Sequence, residues 1–391
     1  MKTTASETQA TSRILIGRFH SLDPIHHASQ SDLHARLASL HAKALSQASQ
    51  ELTDQSQELH SSLEKRLSRY GCDSSRISKR HFEVPAFQPK SPETPGPSWG
   101  WDERMQIYRT ALDRAFLQWY PEQGDSRPPA DLLHVSCTGY IAPSPAQTRM
   151  ADLQHAEVGT RVTHLYHMGC YAALPALRVA EGLLRAGSRL VDITHTELCT
   201  LHLQVGRTDP EQLVIQSLFG DGHIRWSTWT GDPRGETDSF FELLGHHEQL
   251  VPGTSDRMSW SAGDTGWEMT LARDVPEQIQ QALPKFIEHL LNPHGLRLGD
   301  CITAIHPGGP RIIDQLAAGL SLSEEQVRYS REILFERGNM SSATLPHIWD
   351  RIAGSPHIKN TAPVLSLAFG PGLTLCGSLM LLHKRDRELR S

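Results

Sequence analysis

Residues 163–186 read THLYHMGCYAALPALRVAEGLLRA, a strand-like segment that turns into an apolar helix with Cys170 at the junction. A thiol at a helix N-terminus faces unpaired backbone N–H groups and the positive end of the macrodipole, which lowers its pKa and makes it a better nucleophile. Gly169, just before it, lets the backbone turn sharply there. Taken alone, a cysteine before a helix is more often an inert buried residue, and its partners decide between the two. Strands are expected on both sides, Asp131–Cys137 (DLLHVSC) before and Ser188–Thr194 after. Strand and helix in alternation point to an α/β protein.

Further strands are expected at His223–Trp229, Trp267–Ala272 and Cys301–His306, with helices at Ile312–Leu320 and Glu324–Arg337. The run Ala362–Leu382 carries no charge and has the length of a membrane span. Phe369-Gly370-Pro371-Gly372 interrupts it, and Pro with Gly breaks a helix and favours a turn. The run therefore reads as two buried strands, Val364–Phe369 and Leu373–Leu382, and not as a membrane span. The first third looks helical and polar. Leu33, Leu37, Leu40 and Leu45 recur at helical spacing, Gln55–Tyr70 and Trp101–Tyr120 follow suit, and residues 88–98 (QPKSPETPGPS) form a Pro-rich connection.

The 391 residues suffice for a large core, and 38% hydrophobic with 21% charged residues is a globular composition. A net charge of −6 supplies no global basic field, which argues against nucleic acid as a partner. Any anionic ligand needs a local cluster of Lys and Arg. Residues 1–12 are polar and lack the apolar core of a secretory signal. The six cysteines form no CxxC pair, so free thiols in a reducing cytoplasm are expected. The many histidines, His246 and His247 among them, show no metal-ligand spacing and read as surface residues; no metal site is expected.

Two other residues join Cys170. His306 stands at a strand end in HPGGP and Asn339 in GNMSSAT, 33 residues later by 339 − 306. Cys, His and Asn at element ends suit acyl transfer. The Cys attacks a thioester, the His polarises the thiol, and His with Asn donates hydrogen bonds to developing oxyanion charge.

The segments MGCYAALPALRVAEGLL (168–184), SLFGDG (217–222), IHPGGPRIIDQLA (305–317), REILFERGNMSSAT (331–344) and AFGPGLT (368–374), in this order, resemble the type III polyketide synthases, the chalcone synthase family of the thiolase superfamily. The likeness is clearest from Asp131 onward and is closer to bacterial members. It implies an α/β fold, the five-layered αβαβα thiolase-like fold of two similar halves: 1–240 with Cys170, and 241–391 with His306 and Asn339. It implies a homodimer that takes an acyl group from a CoA or carrier-protein thioester onto Cys170. Malonyl-CoA, held by His306 and Asn339, would extend that group by decarboxylation and condensation. No cofactor is implied, since the CoA thioesters supply the activation.

Phe219 matches a family gatekeeper between the CoA tunnel and the cavity, and the second gatekeeper position falls on Met269, softer than the plant Phe. Gly370 and Pro371 belong to the closing loop. In THTELCTLHL (194–203) the family Glu is kept as Glu197, while two threonine positions become Cys199 and His202. These changes in the cavity argue against any named product. Lys65, Arg66, Arg69, Arg76, Lys79 and Arg80 correspond to a CoA-binding basic stretch, with Arg69 and Arg76 the candidates and Arg311 after HPGGP a further one. A single condensation or plain acyl transfer, as in ketosynthase III relatives, is the alternative reading. A catalytically silent acyl-binding homologue is a third, disfavoured by the intact Cys170, His306 and Asn339.

Overall fold

The computed structural model describes residues 13–49, 55–88, 91, 100–122, 128–153, 159–236, 238–264 and 266–385. The polar 1–12 segment and most of the Pro-rich connection lie outside the described residues. In chain order the elements are β1 (Arg13–Leu22), β2 (His26–Ser29), α1 (Gln30–Ser49), α2 (Gln55–Tyr70), β3 (Lys79–Phe82), α3 (Trp101–Trp119), β4 (Asp131–Ser136), α4 (Pro145–Asp152), β5 (Arg161–Tyr166), α5 (Ala173–Arg185), β6 (Leu190–Leu198), α6 (Pro210–Leu218), β7 (Asp221–Gly231), β8 (Phe240–Leu250), β9 (Met258–Ala262), β10 (Trp267–Leu271), α7 (Val275–Leu291), β11 (Ile302–Ile305), α8 (Pro310–Gly319), α9 (Glu324–Arg337), α10 (Thr344–Gly354), β12 (Ala362–Gly370) and β13 (Thr374–His383).

Nine strands form one sheet in the order β11-β12-β13-β8-β1-β7-β6-β4-β5. The pairs β4–β5, β4–β6 and β11–β12 are parallel, and β8 and β7 flank β1 antiparallel to it. Alternate residues of a strand face opposite sides of the sheet, and this period sorts the core into layers. Leu133 and Val135 of β4, with Val364, Ala368 and Met380 of β12 and β13, pack on α5 and α10. Leu132 of β4 faces the other way, onto α1, α2 and α3. Leu365, Leu367 and Leu379 face away from α5 and α10, onto α7 and α8. The two ends of the one sheet thus enclose α5 and α10, with α1–α3 outside one end and α7 with α8 outside the other: the αβαβα layering.

Local sequence explains the elements nearest the functional residues. On α5, Leu174, Leu177, Ala180 and Leu184 recur at helical spacing and are buried together. Helix α9 starts on a capping box between Ser323 and Gln326 and stops at Gly338, whose φ of 73° suits glycine. The uncharged run is the hairpin β12–β13, turned by Pro371-Gly372-Leu373. Among the described residues no helix is long and apolar enough to cross a membrane.

The structure also departs from expectation. The first third is not wholly helical: β1, with Ile14, Leu15 and Ile16 buried, is the middle strand of the sheet. The histidines are not surface residues as a group. His41, His134, His195, His202, His223, His306 and His347 are buried, several of them hydrogen-bonded to side chains far along the sequence, such as Gln216 and Glu83. His246 and His247 are half-buried on β8. A boundary between 240 and 241 falls inside β8, which pairs with both β13 and β1.

Candidate active site

Cys170 lies in the turn between β5 and α5, three residues before the first helical one. Gly169 takes φ +82°, and a Cβ there would approach Pro371 Cδ to 3.1 Å. A Cβ on Gly370 would collide with the Tyr171 ring, 1.9 Å from Cδ1. Glycines at 169 and 370 therefore let the loop at Pro371 press on the turn that carries Cys170. Cys170 is half-buried, and burial pushes its thiol up to about 12, with Glu197 adding to the rise. Hydrogen bonds with Ser341 and Asn339 pull the other way. In the free protein desolvation thus outweighs the stabilisation expected at a helix N-terminus, and the resting group is a thiol.

Asn339 is fixed by a short parallel bridge to Phe219. Its N–H donates to the Leu218 carbonyl at 2.9 Å, and its own carbonyl accepts from Gly220 N–H at 2.9 Å. Ser341 N–H donates to Asn339 Oδ1 at 2.8 Å, which leaves the amide NH2 as the outward donor. Ser341 holds φ +50° to make this contact. Strain at a non-glycine residue is characteristic of functional turns. His306 follows β11, anchored by its N–H to the Leu367 carbonyl at 2.8 Å. Its ring is 1% exposed, and among the described residues neither nitrogen has a hydrogen-bond partner. Burial lowers its pKa to about 3, so the imidazole is neutral.

Two cavities meet at Cys170. The first, of about 510 Å³ with its mouth included, is lined by His306, Asn339, Ile312, Phe369 and Leu271. The second, of about 610 Å³ on the same measure, is lined by Cys137, Thr138, Cys199, His202, Trp260, Trp267 and Pro371. Phe219 and Met269 line both, the placement a gate requires. His202 donates to the Thr138 carbonyl at 2.7 Å and accepts from Trp267 N–H at 3.2 Å, so it is both a satisfied buried histidine and a wall of the cavity. Glu197 stands behind that wall, bonded to the Cys137 N–H at 3.0 Å and the Thr138 hydroxyl at 2.9 Å. Burial pushes its carboxyl up to about 7.

The basic candidates separate. Arg76 pairs with Asp314 of α8 at 3.1 Å, and Arg311 with Glu277 at 3.4 Å. Both are exposed, and Gly308 and Ile312 on either side of Arg311 line the first cavity. Arg69 lies over the Tyr70 ring. Arg80 must be withdrawn from the CoA-binding stretch, because it is 2% exposed and donates to Gln30 Oε1 and the carbonyls of Gln216 and Phe219. Cys137, Ser341, Ser342, Trp260 and Trp267 were not singled out from sequence. The double serine after Gly-Asn-Met and the tryptophan pair seven residues apart were the available signals.

Residues 242–384 match the family described as chalcone and stilbene synthases, C-terminal domain. Type III polyketide synthase 21 of Oryza sativa subsp. japonica is 30% identical over 71% of this chain and 71% of its own length. The chain belongs to the type III polyketide synthase family. Type III polyketide synthase A of Arabidopsis thaliana is 32% identical over 65% of the chain and 67% of its own length. The plant matches thus span about two thirds to seven tenths of those proteins. Among solved structures, the 1,3,6,8-tetrahydroxynaphthalene synthase of Streptomyces coelicolor superposes with a TM-score of 0.76 at 25% identity, covering 95% of this chain and 99% of that one. Type III polyketide synthases are condensing acyltransferases.

Proposed function

We propose that this chain loads an acyl starter on Cys170 and extends it with malonyl-CoA, iteratively, closing the product to a pyrone or phenolic ring. The observation that carries the reading is Cys170 at the junction of two cavities, with Asn339 and the unpartnered His306 on one side only. An amide NH2 and a neutral imidazole N–H on that side suit the thioester oxygen of malonyl-CoA, where charge develops as the carboxylate leaves as CO2. The resulting carbanion attacks the Cys170 thioester carbonyl, the C–S bond breaks, and the chain is two carbons longer. The apolar cavity walled by Trp260 and Trp267 then houses the lengthened chain. Phe219 and Met269 separate the two compartments, and Arg76 and Arg311 beside the first would meet the phosphates of CoA. No metal or organic cofactor enters this reading.

The test is mass spectrometry of products from the purified protein, malonyl-CoA and a panel of short, aromatic and long acyl-CoA starters. Products heavier than a starter by two or more ketide units are expected, and Cys170→Ala should give none. A single added unit would favour the one-step condensing reading, and full activity of Cys170→Ala would overturn the assignment. We also propose a homodimer acting in the cytoplasm, the common state of the family. Sedimentation at a monomer mass would refute the first part.

A further inference from the structure

The hairpin β9–β10 stands apart from the nine-stranded sheet. Alternate side chains of a strand share a face. On β10 one face puts Trp267 in the second cavity, Met269 at the gate and Leu271 in the first cavity. Among the described residues no strand pairs with the edge of β10 that faces away from β9. Side chains meet that edge instead. Trp267 N–H donates to His202 Nδ1 at 3.2 Å, and the Trp267 carbonyl accepts from Gln204 Nε2 at 3.5 Å. The Met269 carbonyl accepts from Gln212 Nε2 at 3.2 Å, and Leu271 N–H donates to Glu211 Oε1 at 2.7 Å. The outer edge of β9 is tied elsewhere, to the turn before Cys170 and the loop at Pro371. There His167 Nε2 donates to the Trp260 carbonyl at 2.8 Å, and Gly372 N–H to the Met258 carbonyl at 3.3 Å.

Glu211 and Gln212 lie in the first turn of α6, which Asp209 caps by accepting from Gln212 N–H at 3.1 Å. The helix is nine residues long, and Phe219 follows its last residue. Gln212, Ile215 and Phe219 recur at helical spacing; all three line the second cavity, and Ile215 and Phe219 line the first as well. One short helix thus carries Phe219 at its end and holds the strand of Met269 at its start. A methionine side chain is flexible, so the size of a gate built on Met269 depends on where its backbone is held. We propose that Glu211 and Gln212 are specificity-determining positioning residues, which hold β10 against α6 and so set the opening between Met269 and Phe219. Which acyl groups that opening admits to the second cavity rests on the function proposed above. The two holds differ in kind. Gln212 is 3% exposed, so its loss leaves the Met269 carbonyl without a partner in a buried place. Glu211 is exposed, and its carboxylate makes the shorter, charge-assisted bond.

The experiment compares the alkylation rates of Cys170 in the free protein with iodoacetamide and with the bulkier N-phenylmaleimide, followed by peptide mass spectrometry. It needs no thioester and so stands apart from the reading of function. Gln212→Met and Glu211→Met keep the side-chain length and remove the hold on β10. Each should raise the rate of the bulky reagent relative to the small one by about fivefold, the shift that one hydrogen bond sustains. Glu211→Gln, which still accepts from Leu271 N–H, should keep the wild-type ratio. A wild-type ratio in both methionine variants overturns the proposal, and so does a Glu211→Gln ratio shifted as far as that of Glu211→Met. Should Gln212→Met not fold, the two variants at the exposed Glu211 decide alone. With acyl-CoA starters, the methionine variants should raise kcat/KM for a long-chain starter relative to a short one by about fivefold. An unchanged preference beside an altered alkylation ratio overturns the claim on specificity. Absence of acylation by every thioester, with the alkylation ratios as expected, would instead count against the function.

Discussion

Gly370→Ala is the smallest change that tests how the closing loop holds the nucleophile. The added Cβ would lie 1.9 Å from Tyr171 Cδ1, where ordinary contact begins near 3.4 Å, so the ring must retreat by about 1.5 Å. Gly370 does not have positive φ, and the effect is therefore one of space and not of backbone strain. Overfilling a packed site costs about 1–3 kcal/mol. Tyr171 is joined to Cys170 by a stiff peptide, and misplacing a reacting group by about 1 Å costs on the order of a hundredfold in rate. Thermal unfolding and single-turnover acylation of Cys170, read by intact-protein mass spectrometry, measure the two effects. Adding Tyr171→Ala should restore part of both losses, because contacting sites do not act additively. A Gly370→Ala protein that melts and acylates like wild type would refute the claim that this contact sets the thiol.

Asn339→Ala keeps the backbone bridge to Phe219 and removes the amide; malonyl-CoA decarboxylation, followed as released CO2, should fall by about a hundredfold or more while Cys170 acylation falls far less. Arg80→Met would leave Gln30 Oε1 and two buried carbonyls without donors, each costing about 1–3 kcal/mol, and should lower the melting temperature without changing KM for CoA thioesters. Arg76→Ala and Arg311→Ala should do the reverse. For Glu197 the folded carboxyl is raised from 4.5 to about 7, so the folded state binds the extra proton between those values and loses stability as pH rises through them. Glu197→Gln does not titrate, and its stability relative to wild type should improve from pH 5 to pH 8 by on the order of 2–3 kcal/mol in denaturant titrations. A flat difference would show that Glu197 titrates normally.

That Cys170, His306 and Asn339 are special was legible because each stands in a short local pattern, a Gly-Cys before an apolar helix, His-Pro-Gly-Gly-Pro, and Gly-Asn-Met-Ser-Ser, and the fold brings all three to one cavity. The hairpin Ala362–His383 was legible because Pro and Gly cut an uncharged run. β1 was not, because Ile14-Leu15-Ile16 is a three-residue apolar run between charged residues, and only its pairing partners 200 residues away make it central. The buried histidines and Arg80 were misread for a related reason. Polar residues enter a core only with partners, and theirs come from 50 to 175 positions away. The hydrogen bonds that gather Cys137, Ser341 and Ser342 about Glu197 join residues 60, 145 and 204 positions apart, so no window of sequence contains them.

The place of β1 in the middle of the sheet has a consequence for biogenesis. Of the described strands it is made first, yet its two neighbours, β7 and β8, begin only at Asp221 and Phe240. At about 5–20 residues per second, a ribosome takes about 10–45 s to supply them. During that interval the Ile14–Ile16 segment has no sheet to join, and an unpaired apolar strand invites association with other nascent chains. Closure of the sheet therefore waits for the second half of the chain, and the two halves become stable together, after synthesis has passed both.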